Sequence, residues 1–275
     1  MSAHAIETGT QDLLAALDAG VLTLTMNRPD ARNALSRPMI EALQKQLAAA
    51  ELNPDVKCIV LTGAGQGFCA GGDVKGMAAR GDGTVGDVSI DEAIHRQRVS
   101  QRATAGKLHK MPKPTIAAIP GPAAGAGLGL AMACDLRIMA STAIMTTAFA
   151  KVGFPGDYGA TYFLTQLVGS AKARELFFLS ERISADEALR LGLTNWVCAP
   201  GELAAKTHEL ARRLADGPTV AFRYMKENIN RAIGGGVDEC LDLETTHQVH
   251  CGQTEDHREA AKAFVEKRAP KFRGR

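Results

Sequence analysis

Phe68-Cys69-Ala70-Gly71-Gly72-Asp73 follows the apolar run Cys58-Ile59-Val60-Leu61, and Gly121-Pro122-Ala123-Ala124-Gly125-Ala126-Gly127 follows Thr115-Ile116-Ala117-Ala118-Ile119. Each passage reads as a strand, a glycine turn and then a helix. Such a turn leaves backbone N–H groups free and aims them at one point. Two such donors converging on one oxygen make an oxyanion hole. Glycine and alanine suit it because the backbone has to approach a ligand closely.

Working outward, Val21 to Thr25 alternates as a strand does and ends at Asn27-Arg28-Pro29. Ser36 is placed to cap a helix through Asn53, which Pro54 stops. Lys57 to Thr62 reads as the strand that feeds the first turn. Residues Gly76 to Gly86 are rich in Gly and Asp and read as a mobile loop. Ser89-Ile90-Asp91-Glu92 has capping-box spacing and opens a helix towards Lys110, broken by Met111-Pro112-Lys113-Pro114. A short helix to Cys134 and a buried strand, Asp135 to Met139, follow the second turn. Ser184 and Glu187 form another capping box. From Gly201 onward the pattern is helical, punctuated at Gly217-Pro218 and at Gly234-Gly235-Gly236. The short strand-helix alternation upstream suggests stacked β-β-α units, an α/β fold. The organisation expected is a core over residues 1–200 and a helical subdomain over 201–275.

Composition sets limits. The chain has 275 residues, 45% of them hydrophobic, enough for a buried core. Its 32 basic and 30 acidic residues leave a formal charge of +2, which argues against a protein driven by nucleic-acid phosphate contacts. The seven histidines show no HxxxH or HxxE spacing, and the six cysteines show no CxxC pair and no zinc spacing. They read as free thiols in a reducing compartment. The first twenty residues carry Glu7, Asp12 and Asp18 and no arginine, unlike a signal or transit peptide. No apolar run reaches the ~20 residues needed to span a bilayer. A soluble cytoplasmic protein is expected.

Taken in order, Asn27-Arg28-Pro29 with Asn33-Ala34-Leu35, Phe68 to Asp73, Gly121 to Gly127, Ser184-Ala185-Asp186-Glu187-Ala188 and the tail Ala263-Phe264-Val265-Glu266-Lys267-Arg268 resemble the crotonase family, also called the enoyl-CoA hydratase/isomerase family. The resemblance runs from about Val21 to Arg275 and implies a spiral of β-β-α units with a C-terminal helical subdomain that packs three subunits together, as a trimer or a dimer of trimers. It implies that the Gly72 and Ala126 N–H groups hold the thioester oxygen of an acyl-CoA, that the loop Ala70 to Asp73, with Gly71 in it, also lies against the adenine, and that Gly125 and Phe149 line the acyl-CoA site. Coenzyme A is then part of the substrate, and no further cofactor is implied. Arg28, Arg32 and Lys75 are candidates for the CoA phosphates, though solvated surface charge would look the same. Phe264 and Lys267 match positions that reach a neighbouring subunit's CoA, and a plain amphipathic helix would carry them equally.

The hole does not choose the reaction; acids and bases over the acyl carbons do. A hydratase of this family holds its water between two glutamates. Counting along the motif puts these at Gly129 and Phe149, neither of which moves a proton. Val152 to Gly159 reads as a strand end, a turn and a helix start, and Asp157 within it sits where some family isomerases carry a single catalytic acid. The bacterial epoxyphenylacetyl-CoA isomerases are especially similar, sharing Ala123 to Gly127, then Ala148-Phe149, Lys151 and Gly153, then Asp157. Phe149 and Phe154 would supply apolar surroundings that favour the neutral carboxyl and raise its basicity. The plain alternative is that Asp157 caps the helix starting near Tyr158. Likewise Asp73 reads as the cap of a helix from Val74 to Met77, and Asp135 as a structural acceptor.

Isomerisation is the favoured activity, with hydration as the alternative. Three other readings compete. A dinucleotide-binding domain would use Gly63-Ala64-Gly65-Gln66-Gly67 or Gly125 to Gly129, but neither has GxGxxG spacing. A non-catalytic CoA-binding or assembly protein is allowed by the loss of both glutamates, and the surviving Asp157 argues against it. A dehalogenase with a nucleophilic Asp needs a Trp where Phe149 stands, and the single tryptophan is Trp196.

Overall fold

The computed structural model describes residues 4–73 and 88–275. The expected helix from Val74 to Met77, the whole of the expected loop from Gly76 to Gly86, and Lys75 lie outside the described residues.

The central sheet is built from apolar runs. β3 (Val21–Met26), β4 (Cys58–Gly63), β5 (Thr115–Ile119), β7 (Leu136–Ala140) and β10 (Trp196–Cys198) pair in parallel in that order. β1 (His4–Ile6) and β2 (Leu13–Asp18) extend the β3 edge antiparallel. β5 is buried at every residue, as continuous hydrophobicity without alternation requires of a strand covered on both faces.

A smaller layer crosses the carboxyl ends of these strands. β6 (Ala123–Ala124), β8 (Ile144–Thr146) and β9 (Ile183–Ser184) form it, and isolated bridges from Leu35 to Gly72 and from Cys69 to Ala123 continue it. From β3, β4, β5 and β7 alike, the chain leaves the large sheet, passes through this layer and returns by a helix. This is the β-β-α spiral expected.

The helices start where capping predicts. Ser36 accepts from the Met39 N–H at the head of α1 (Arg37–Leu52), Ser89 from Glu92 at α2 (Ile90–Ala103), and Ser184 from Glu187 at α6 (Ala185–Arg190). The expected helix from Ser89 to Lys110 is corrected at Thr104. That buried residue has φ −114° and ψ −90°, its hydroxyl donates back to the Ser100 carbonyl at 2.9 Å, and α3 (Ala105–Lys110) restarts beyond it. Hydroxyl back-bonding of this kind bends helices. A second correction concerns Val152. It ends a 3-10 turn (Ala150–Val152), not a strand, because Lys151, Val152 and Gly153 donate to the carbonyls three residues back.

α4 (Ala126–Ala133) is wholly buried and packs against α5 (Ala160–Leu179) and α3. α7 (Leu203–Ala215) packs across β3, β4, β5 and β7, so a tail counted from residue 201 begins with a helix that covers the sheet. Beyond it come α8 (Thr219–Ala232), α9 (Val237–Gly252) and α10 (Glu255–Val265). Lys226 anchors α8: its buried ammonium donates to Leu108 O at 2.8 Å, Lys113 O at 3.2 Å and Asp135 Oδ2 at 2.8 Å. Asp135 also accepts from the Thr115 N–H and hydroxyl, and so is a structural acceptor as expected. No helix among the described residues is long and apolar enough to cross a membrane.

Candidate active site

The two glycine turns interlock. The Phe68 and Cys69 N–H groups donate to Pro122 O at 3.1 and 3.2 Å, and Ala124 N–H donates to Cys69 O at 2.9 Å. Gly71 has φ +91°, and a Cβ there would lie 2.9 Å from Ala124 O and 3.3 Å from Ala126 N, so only glycine allows the approach. Gly125 N–H is taken by Thr146 O. Ala126, the first residue of α4, is the next donor, and no intrahelical partner exists at that position. Among the described residues neither Gly72 N–H nor Ala126 N–H meets a main-chain acceptor. Both line one cavity of about 1010 Å³.

The approach to the first turn is fixed by a residue noted above only within a motif. Asn33 is fully buried at φ +56°; its amide donates to Ala64 O and Gly67 O, and its carbonyl accepts from Arg28 N–H. Arg28 spends its guanidinium on Ala34 O at 2.7 Å and Asp73 at 3.2 Å, next to Gly72. Arg32 is exposed, its carbonyl accepts from Ala70 N–H, and its side chain makes no ion pair among the described residues.

Asp157 lines the same cavity as Gly72 and Ala126. It does not cap a helix. α5 begins at Ala160 behind Gly159, with no side-chain cap, and the buried Asp157 Oδ1 has no hydrogen-bond partner. Burial pushes its carboxyl up from 3.8 to about 6, which makes the carboxylate a stronger base than an exposed one. The loop bends sharply around it: Gly156, Tyr158 and Gly159 all have positive φ. Two neighbours stay neutral. Burial pushes the Cys69 thiol and the Tyr158 phenol up to about 12, with the Asp157 charge adding to both.

Gly129 explains the missing glutamate. A Cβ at this helical position would lie 2.9 Å from Tyr158 O, 3.0 Å from Tyr158 Cβ and 3.2 Å from Asp157 O. The space a side chain would need is filled by the loop that carries Asp157.

Other candidates sit apart. Phe149 is buried behind the second turn, its ring stacked on Phe177 at 5.7 Å and 3.7 Å from where a Gly125 Cβ would stand. Phe154 is 53% exposed, so it does not enclose Asp157 as expected; the loop turns its side chain to solvent. Phe264 is 85% exposed and Lys267 is exposed, both far along the chain from the cavity lining. Among the described residues no cluster of His, Cys, Asp or Glu is arranged to hold a metal ion. Sequence reading gave no signal for Ser100, Gln101 and Tyr158, which surround the Asp157 loop.

The family described as Enoyl-CoA hydratase/isomerase matches residues 16–275. The chain is 37% identical over 264 residues to the 1,2-epoxyphenylacetyl-CoA isomerase of Escherichia coli, covering 96% of this chain and 98% of that protein. It is 35% identical over 249 residues to the short-chain-enoyl-CoA hydratase of Clostridium acetobutylicum, covering 90% and 92%. The crystal structure of enoyl-CoA hydratase from Bacillus anthracis superposes with a TM-score of 0.88 at 31% identity, covering 96% of this chain and all of that one. With matched turns, spiral topology and near full-length similarity, the chain belongs to the enoyl-CoA hydratase/isomerase, or crotonase, family.

Proposed function

We propose that the protein isomerises an acyl-CoA thioester, with Asp157 as the single acid and base and the Gly72 and Ala126 N–H groups as oxyanion donors. For a β,γ-enoyl-CoA, the Asp157 carboxylate removes an α proton. The C–H electron pair enters the dienolate, whose negative thioester oxygen receives both hydrogen bonds. The dienolate then takes the proton back from Asp157 at the γ carbon, and the double bond ends at α,β. Nothing is oxidised or reduced. An epoxide on the acyl group would call on the same base and hole, in line with the name of the Escherichia coli relative.

One observation carries this reading: a buried carboxyl with an unpartnered oxygen shares a cavity with both donors, and its own backbone fills the place of a glutamate at Gly129. Hydration needs a held water and a second proton carrier over the alkene, and Gly129 and Phe149 offer neither. Hydration remains the second reading, because the Clostridium relative is named a hydratase. The test is to assay wild type and Asp157→Asn on β,γ-hexenoyl-CoA and on crotonyl-CoA. Isomerisation faster than hydration, lost in Asp157→Asn with CoA binding kept, supports the proposal. Fast hydration by wild type overturns it.

The same reading extends to assembly and location. Met225, Ile229, Val237, Leu241, Val249 and Phe264 leave apolar side chains exposed on α8 to α10, supporting a trimer or a dimer of trimers, with Phe264 and Lys267 completing a neighbour's CoA site. The substrate brings its own coenzyme A and no separate cofactor is used. The six cysteines are free thiols, which fits the cytoplasm.

A further inference from the structure

Asp157 is carried by a loop that backbone propensity alone does not hold. Tyr158 adopts φ +47°, a left-handed conformation that disfavours a residue with a side chain. The glycines at 156 and 159 also have positive φ and add freedom on either side. Two side chains of α2 oppose this freedom. Gln101 Oε1 accepts from the Tyr158 N–H at 3.0 Å. Ser100 lies by the Tyr158 phenol, and its polar side chain opposes the rise in the phenol's pKa. Ser100 Oγ accepts in turn from Gln44 Nε2 at 2.9 Å, which ties α2 to α1. On the opposite side, the Tyr158 carbonyl and Cβ rest against Gly129 of α4. The residue next to Asp157 is therefore gripped between α2 and α4.

We infer that Gln101, with Ser100 and Gln44 behind it, is a positioning residue for the Asp157 carboxylate, acting through the Tyr158 backbone and phenol. The inference rests on the catalytic reading of Asp157. None of the three needs to touch the substrate for this role. With the Tyr158 N–H released, the strained loop relaxes and the carboxylate leaves its line to the acyl carbons. Misplacement by about 1 Å at a reacting group costs on the order of a hundredfold in rate. The relaxed carboxylate also meets more water, which lowers its pKa towards the ordinary range. The titratable groups facing Asp157 are the Cys69 thiol on the first turn and its neighbour Tyr158. Arg37 and Glu41 of α1, with Asp73, His95 and Arg96, line the same cavity.

The experiment uses the full chain with β,γ-hexenoyl-CoA and measures kcat, KM and the acidic limb of kcat/KM for Gln101→Leu, Gln101→Glu and Asp157→Asn. Leucine keeps helix propensity and lacks the acceptor. Expected for Gln101→Leu is a kcat lower by about tenfold to a hundredfold, a KM within about threefold of wild type, and an acidic limb moved to lower pH. Gln101→Glu keeps an acceptor oxygen, so it recovers most of kcat at high pH. Its added negative charge moves the limb to higher pH. A folded Gln101→Leu enzyme with wild-type kcat and limb overturns the inference. A lowered melting temperature with both kcat and limb unmoved does so too, since that is scaffolding only. If Gln101→Leu does not fold, Gln101→Asn decides, since its amide stops one methylene short of the Tyr158 N–H: a lowered kcat with the limb moved to lower pH supports the role, and wild-type kcat and limb refute it. Asp157→Asn separates the two readings, because full activity there removes the catalytic assignment itself, whatever Gln101 does.

Discussion

Replacing Gly129 with alanine isolates the link between α4 and the Asp157 loop. The added methyl would lie 2.9 Å from Tyr158 O and 3.0 Å from Tyr158 Cβ, against 3.4 Å for ordinary contact. The carbonyl must therefore retreat by about half an ångström in an interior packed too tightly to absorb it elsewhere. Overpacking of this kind costs about 1–3 kcal/mol. Alanine in a helix interior returns about 1 kcal/mol relative to glycine. The net loss of stability is at most about 2 kcal/mol, so the variant folds. The effect on rate is larger, because the displaced backbone carries Asp157, the proposed base: kcat should fall by about tenfold or more. Thermal unfolding and steady-state kinetics on β,γ-hexenoyl-CoA, run side by side, read the two effects separately. Wild-type kcat in a folded Gly129→Ala enzyme would show that the loop yields without moving Asp157, and the reasoning would fail. The same geometry predicts that Gly129→Glu gains no hydratase activity, since Tyr158 occupies the space its side chain needs.

Other outcomes follow from the same contacts. Isomerisation should rise with pH through about 6, where the buried Asp157 ionises; a rate flat from pH 4 to 8 would contradict this. The folded pKa of Asp157 is raised, so its contribution to stability is present below pH 3.8 and is lost as pH rises to about 6. Asp157→Asn should therefore melt higher than wild type at pH 8, by up to about 3 kcal/mol in unfolding free energy, while losing activity. Lys226→Met strips the partner from Asp135 beneath α8 and should cost about 2–4 kcal/mol in denaturant unfolding; an unchanged midpoint would show that Thr115 alone satisfies the carboxylate. Gly72→Pro removes one oxyanion N–H and should lower kcat by about a hundredfold or more, and near-full activity of a folded variant would reject Gly72 as a donor. Light scattering should give a trimer or hexamer, and a stable active monomer would refute the assembly.

The fold was legible where a local rule had no competitor. Ser36, Ser89 and Ser184 cap helices because each has a free N–H to accept from three residues on. The buried strands showed as unbroken apolar runs, and the two turns as clustered glycines. Where a side chain reached back to its own helix, as Thr104 does, the pattern still read as one continuous helix. The candidate site was legible as residues that the fold brings to one cavity, but not in its support. Gly72, Ala126 and Asp157 could be picked from their motifs. The grip of Gln101 on Tyr158 joins residues 57 apart by one side-chain oxygen, and no periodicity or composition signals such a contact. The left-handed turn at Tyr158 is equally silent, because tyrosine does not advertise positive φ as glycine does. Gly129 looked only like a lost glutamate until the backbone opposite it was known.

Proton transfer by Asp157 is the centre of the account, and isotope exchange observes it directly. Wild type and Asp157→Asn are incubated with β,γ-hexenoyl-CoA in deuterated buffer, and exchange at the α carbon is followed by NMR beside the affinity for the CoA thioester. The account predicts α-proton loss and the α,β product with wild type. With Asp157→Asn it predicts neither, at an affinity close to that of wild type. Exchange by Asp157→Asn at the wild-type rate would contradict it, because another group would then be moving the proton.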